Sequence, residues 1–405
     1  MVTPQRGASL LAAPGTYKSP TLTLDAFGRA TALRTRNAAY ALGGTGASSS
    51  YGTQVASLRI RTAFTKRVTR MRVHTRNYVA LTDSAVAGTP TITGAYFGRE
   101  MAPNSPGVVS QQAFPAGSGS LASGGEWISG WMTPNWDTRV AEGRVTVVVN
   151  VAATNLAANN SSNCWYLTNG DPTLLNSEAN WTKYGDCPLQ TWIEYEYIDD
   201  GSPQVLFIGD SIPDGYFGGP WNVAGSAMQF WGGHIDGFPE CWARKRGGVA
   251  MVEAIPTSTA AQWAVASSTK WTRFDTTAAP LAPDAIVIHI GINDLGNSVA
   301  NATVIANVTA VINNARAKYP GVPIFYMGIV PFAMTQVGGR NGDRITVNSA
   351  IANLGRGVIA GYFDPLPLTA PDSGAAEYAK AKFISADGLH LTIQGNDVLA
   401  DCVNL

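Results

Sequence analysis

Val205-Leu206-Phe207-Ile208-Gly209-Asp210-Ser211 is the stretch that decides the fold: four apolar residues in a row, then a glycine, an acid and a hydroxyl. An unbroken apolar run of this length, ended by turn residues, reads as a strand buried on both faces, as in parallel sheets covered by helices. The same grammar returns at Ala285-Ile286-Val287-Ile288-His289-Ile290, followed by Gly291-Ile292-Asn293-Asp294. With these two, strands are expected at 204–208, 248–254, 285–290, 322–329 and 358–363. Between two of them Val304, Ile305, Val308, Val311, Ile312 and Ala315 share one helical face, and Pro320-Gly321 ends that helix. Alternating strands and helices predict a parallel sheet with helices on both faces. Ligands bind such sheets at the carboxyl ends of the strands. Ser211 and Asn293 both lie there.

Upstream of about residue 200 the pattern changes. Short apolar bursts alternate with polar residues in Ser57–Thr62, Arg70–His74, Arg144–Val149 and Thr191–Tyr197. Period-two alternation between turns predicts antiparallel strands with one face in and one out, here a β-sandwich over about 20–200. Ile198-Asp199-Asp200-Gly201-Ser202-Pro203 is turn-rich and charged, a natural hinge. The expected division is residues 1–200, a β-sandwich accessory domain, and 201–405, an α/β domain. The 405 residues suffice for two cores, and no repeat of fixed period interrupts them.

Composition excludes several partners. Charged residues make up 14%, with 28 basic against 28 acidic, so neither nucleic acid nor an anionic membrane is favoured. No stretch approaches the roughly 20 apolar residues that span a bilayer. The first residues, Met1-Val2-Thr3-Pro4-Gln5-Arg6-Gly7, lack the apolar core of a signal peptide. Four cysteines are too few for a disulfide scaffold at this size.

The chemistry gathers in three motifs: Gly209-Asp210-Ser211, Gly291-Ile292-Asn293-Asp294 and Asp387-Gly388-Leu389-His390. A serine hydroxyl becomes a nucleophile when a base takes its proton. Asp387 and His390, three residues apart, fall on one side of a helical turn, where the carboxylate fixes the ring and leaves its other nitrogen for Ser211. The chain has four histidines. His289 reads as core and His74 as part of the β-domain, so His234, in a glycine-rich loop, is the competing base. Asn293 past a strand end supplies an amide donor for charge developing on a carbonyl oxygen, beside the Ser211 backbone N–H. Tyr216, Phe217, Trp221, Phe230 and Trp231 crowd the loop after Ser211. They either stack on substrate, with Tyr216, Trp221 and Trp231 the candidates, or pack the loop onto the sheet.

Motif order and strand context resemble the SGNH (GDSL-type) hydrolase superfamily over residues 203–402. The resemblance implies a three-layer flavodoxin-like domain that hydrolyses small acyl esters without metal or cofactor. Ser211 would be nucleophile, His390 base, Asp387 its partner and Asn293 an oxyanion donor. One position departs: the family's second oxyanion donor is a glycine N–H, and the matching stretch Val252–Thr259 places Thr257 there. An acylated carbohydrate is the expected substrate, O-acetyl groups on a polysaccharide foremost. A lipid or aryl esterase, and a non-catalytic glycan-binding virion component, are the alternatives. Low charge, richness in Gly, Ser, Thr and Asn, and the appended β-domain point to an extracellular or virion-associated setting. The sequence does not specify the oligomeric state.

Overall fold

The computed structural model describes strand segments 23–24, 30–31, 33–35 and 48–50, and residues 55–79, 81–101, 107–139, 143–150, 155–168, 182–216, 236–272, 281–333, 340–355, 357–370, 378–385 and 387–405. Two antiparallel sheets come first. The larger runs Val108–Ala113, Thr91–Glu100, Gly143–Asn150, Val55–Thr62, Asn155–Thr168, Thr182–Pro188. The smaller runs Glu126–Ile128, Val68–Arg76, Gln190–Ile198, Leu33–Thr35. Phe64 joins them, meeting Phe97 of the larger sheet edge-on at 6.2 Å and Tyr195 of the smaller at 5.0 Å. Ile60, Ile92, Val145 and Val147 of the larger sheet and Met71, Val73 and Ile193 of the smaller are buried in one hydrophobic cluster.

The one-in, one-out expectation fails on the smaller sheet. Gln190–Ile198 is buried at every residue but its last. Its polar face is covered rather than solvated: Arg70 pairs with Glu196 and Arg72 with Glu194, both at 2.5 Å, and both guanidiniums lie over the Trp131 ring. His74, fully buried, stacks on Trp192 and lies within hydrogen-bond reach of Glu126 and Glu194. Planar side chains that satisfy one another can be buried without orphaned charge.

The second half forms a five-stranded parallel sheet in the order Val249–Ala254, Gln204–Gly209, Ala285–His289, Ile324–Met327, Gly361–Phe363. Numbered along the chain that order is 2-1-3-4-5, the flavodoxin-like arrangement. Val205–Ile208 and Ile286–Ile288 are almost entirely buried, as unbroken apolar runs require. Each such side chain contributes roughly 1.5–3 kcal/mol of burial. Helices Phe238–Arg246 and Ile393–Cys402 pack together in one layer, and Ala260–Trp263, Asn301–Lys318 and Asn341–Ala352 form the other. Together with the sheet they make three layers. The last two strands are shorter than expected. Pro323 has no N–H for the ladder, and Val358 and Ile359 donate to Gly355 in a turn before theirs begins.

Strand order reverses between Gln204–Gly209 and Ala285–His289, so the crevice of this sheet opens above those two carboxyl ends.

Candidate active site

Gly209 ends the first parallel strand where it lies against the next. A Cβ there would sit 1.9 Å from the His289 carbonyl oxygen and 2.7 Å from Pro213 Cγ, so only glycine fits. Asp210 caps the short helix Ser211–Asp214, its Oδ1 accepting from the Ile212 N–H at 3.0 Å. This turn lifts Ser211 to the crevice floor, 4% exposed.

His390 comes from the far end of the chain. Its Nε2 lies 2.8 Å from Ser211 Oγ, and its Nδ1 lies 2.6 Å from Asp387 Oδ2. The three side chains, from two motifs far apart in the chain, are therefore in one hydrogen-bonded line. Asp387 and His390 meet for a different reason than their spacing proposed. They lie in a non-helical turn, with Gly388 at φ 70 and Asp387 Oδ1 accepting from the Leu389 and His390 N–H groups at 2.9 and 3.0 Å. The helix itself starts at Ile393 behind the Thr392 cap. Ser385, which the sequence reading passed over, donates its hydroxyl to Asp387. Burial alone would raise the Asp387 carboxyl. The bond from His390 and its charge, with Ser385 and Leu389, outweigh that and hold it down at about 2.

Thr257 adopts φ 65, the left-handed conformation that a glycine would take freely. Its surroundings fix it. Ser258 N–H donates to Ile255, Ser258 Oγ to the Gly209 carbonyl, and the Trp263 indole to Ser258 Oγ at 3.0 Å. Asn293 Nδ2 donates to the Ser258 carbonyl at 2.9 Å. Asp294 accepts from the Ala260 and Ala261 N–H groups at 2.7 and 3.4 Å. The Asn-Asp dipeptide thus clamps the segment that carries Thr257, a link no single motif revealed. Burial pushes the Asp294 carboxyl up despite these donors, with a smaller push from Asp210.

Tyr216 sits edge-on to the His390 ring at 4.8 Å between centroids. Trp221 and Trp231, with Phe217, Phe230 and His234, lie outside the described residues. His289 is buried in its strand, as expected, with Nδ1 3.5 Å from Asp210 Oδ1. His74 belongs to the small antiparallel sheet. Among the described residues no group of three or more His, Cys, Asp or Glu is placed to hold a metal ion. No helix among them is long and apolar enough to cross a membrane.

A hydroxyl, an imidazole and a carboxylate thus stand in line at the carboxyl edge of a 2-1-3-4-5 sheet, an arrangement with the groups that acyl transfer needs. Residues 207–398 match the GDSL-like lipase/acylhydrolase family, so over that stretch the chain carries a domain of GDSL (SGNH) hydrolase type. A carbohydrate esterase family 2 enzyme with a carbohydrate binding domain, from Corynascus thermopiles (Myceliophthora fergusii), aligns at 14% identity over 90% of this chain and 96% of its own, TM-score 0.41. A family two carbohydrate esterase from Clostridium thermocellum, in complex with cellohexaose, aligns at 12% identity over 89% and 90%, TM-score 0.37. A carbohydrate acetylesterase from Sinorhizobium meliloti aligns at 15% identity over 49% and 95%, TM-score 0.36. No curated protein matches the chain significantly.

Proposed function

We propose that this protein is a serine esterase that removes small acyl groups, foremost O-acetyl, from a polysaccharide. The observation that carries the reading is the 2.8 Å approach of His390 Nε2 to Ser211 Oγ, with Asp387 2.6 Å behind the ring. In this reading the neutral imidazole takes the Ser211 proton as the hydroxyl oxygen attacks the ester carbonyl. Asp387 holds the Nδ1 tautomer and stabilises the imidazolium. The tetrahedral oxyanion is met by the N–H groups of Ser211 and Thr257 and the amide of Asn293. His390 then returns the proton to the leaving sugar oxygen, and water, activated by the same imidazole, releases the acid and restores Ser211.

Support for a sugar substrate comes from the aromatic Tyr216 ring beside His390, and from the antiparallel β-domain that packs against the α/β domain. Low charge and Gly, Ser, Thr and Asn richness favour action outside the cytoplasm, on a secreted or virion-borne protein. The decisive experiment compares hydrolysis of 4-nitrophenyl acetate, 4-nitrophenyl butyrate and an acetylated polysaccharide by wild type and Ser211→Ala. Acetate release by wild type and none by the variant is expected. Equal rates for the two proteins on all three substrates would sink the reading and leave a non-catalytic glycan-binding role.

A further inference from the structure

The hairpin Tyr78–Val79 and Ser84–Ala85 of the β-domain reaches across to the loop that follows the strand Val249–Ala254. The Leu81 carbonyl accepts from Gln262 Nε2 at 3.3 Å and from Lys270 Nζ at 3.0 Å. Asp83 takes Lys270 Nζ at 3.1 Å, Ser268 Oγ at 2.7 Å and Thr269 Oγ1 at 2.8 Å, and Tyr78 meets Thr269. Lys270 is 2% exposed, so its ammonium depends on those oxygens for solvation. Asp83 itself stands at φ 53.

From these anchors two short routes lead to Thr257. Lys270 precedes Trp271, whose ring meets Trp263 edge-on at 5.4 Å, and Trp263 donates to Ser258, the neighbour of Thr257. Gln262, held by Leu81, accepts from the Thr259 N–H at 2.9 Å in a reciprocal capping box. A threonine at positive φ is costly and persists only where its surroundings over-determine it. Asn293 and Asp294 constrain the segment from the esterase domain, and the hairpin constrains it from the β-domain.

We propose that Asp83, on the β-domain, is a positioning residue for the esterase site, holding through Lys270 and the Trp271–Trp263 pair the loop that presents the Thr257 N–H. The β-domain is then part of the catalytic apparatus, beyond any role in binding substrate. The proposal rests on the esterase reading above for its effect on rate, but its structural half stands apart from that reading.

The test uses the full chain with Asp83→Ala, Asp83→Asn and Thr65→Val. Thr65 donates at 2.6 Å to the Gly248 carbonyl, a second point of contact between the same domains, at the opposite end of the strand Val249–Ala254 from the loop. Steady-state kinetics on 4-nitrophenyl acetate are read beside amide hydrogen exchange of peptides spanning 255–272. For Asp83→Ala, kcat should fall about tenfold, a fraction of the loss from deleting an oxyanion donor, with KM within about twofold. Exchange should rise over 255–272 and not elsewhere in the esterase domain. Asparagine tolerates positive φ and keeps an acceptor, so Asp83→Asn should recover most of both losses. Thr65→Val should leave kcat unchanged. Unaltered kcat in Asp83→Ala, unaltered loop exchange, or an equal loss in Thr65→Val would each overturn the proposal. If wild type hydrolyses no ester while Asp83→Ala still loosens 255–272, the esterase reading fails and the hairpin's hold on the loop stands.

Discussion

At the scale of single residues, the site depends on one carboxylate and one strained backbone position. Asp387 sits at about 2 against an ordinary value of 3.8, so it is ionised throughout any working range. Asp387→Asn should therefore lower kcat by about three to four orders of magnitude, through loss of the ring's tautomer and orientation. Its folded value is depressed, so it contributes stability in full above about pH 4, and that contribution fades as pH falls towards 2. Urea midpoints of wild type and the variant should converge across that window. A gap that stays constant would refute the assignment. At Thr257, glycine relieves a left-handed β-branched residue but loosens the unfolded chain. Thr257→Gly should hence keep stability within about 1 kcal/mol of wild type by chemical denaturation and retain kcat, because the N–H is unchanged. A large loss of kcat would mean the threonine side chain itself takes part.

At the scale of elements, the strand–turn–helix Gln204–Asp214 shows how local chemistry places the hydroxyl. Gly209 permits close approach to His289, Asp210 caps, and Gly215 closes the four-residue helix at φ 77. Gly209→Ala must push backbone aside, since the nearest obstacle is the His289 carbonyl. A loss of at least about 1–3 kcal/mol is expected from overpacking, read as a shift in the denaturation midpoint. Apolar runs and the Pro-Gly stop made these strands and the long helix readable from sequence, because burial on both faces leaves a continuous hydrophobic signature. The 387–390 turn was less readable. Three-residue spacing suits a helical turn, yet a carboxylate accepting from the next two N–H groups produces the same closeness without a helix. Alternation revealed two of the four strands of the small antiparallel sheet but not their burial, because the partners of Arg72, Glu194 and His74 come from other elements.

At the scale of the whole molecule, Glu240 reports the junction of the two halves. It is buried on the helix Phe238–Arg246, close enough for its charge to act on Tyr195 of the small antiparallel sheet. Burial raises its carboxyl to about 8, so it is neutral in the folded protein below that pH and ionised in the unfolded chain above about 4.5. The folded state then binds the extra proton, and stability must decline as pH rises from about 4.5 to about 8. Glu240→Gln removes that linkage. Thermal melts from pH 5 to 9 should show a flatter profile for the variant, and parallel profiles would contradict a raised Glu240.

The sequence by itself determined the parallel, helix-covered class of the second half, the antiparallel class of the first, and the residue types available for acyl transfer. These are local properties: apolar periodicity, turn chemistry and motif order survive in one dimension. Tertiary structure alone decided that His390 stands against Ser211 across 179 positions of chain, that Asn293 and Asp294 brace the Thr257 segment, and that a β-domain hairpin braces it from the other side. Such contacts arise from sheet order and domain packing, where the partner of a polar side chain is whichever group the fold brings within about 3 Å, and no spacing along the chain encodes it.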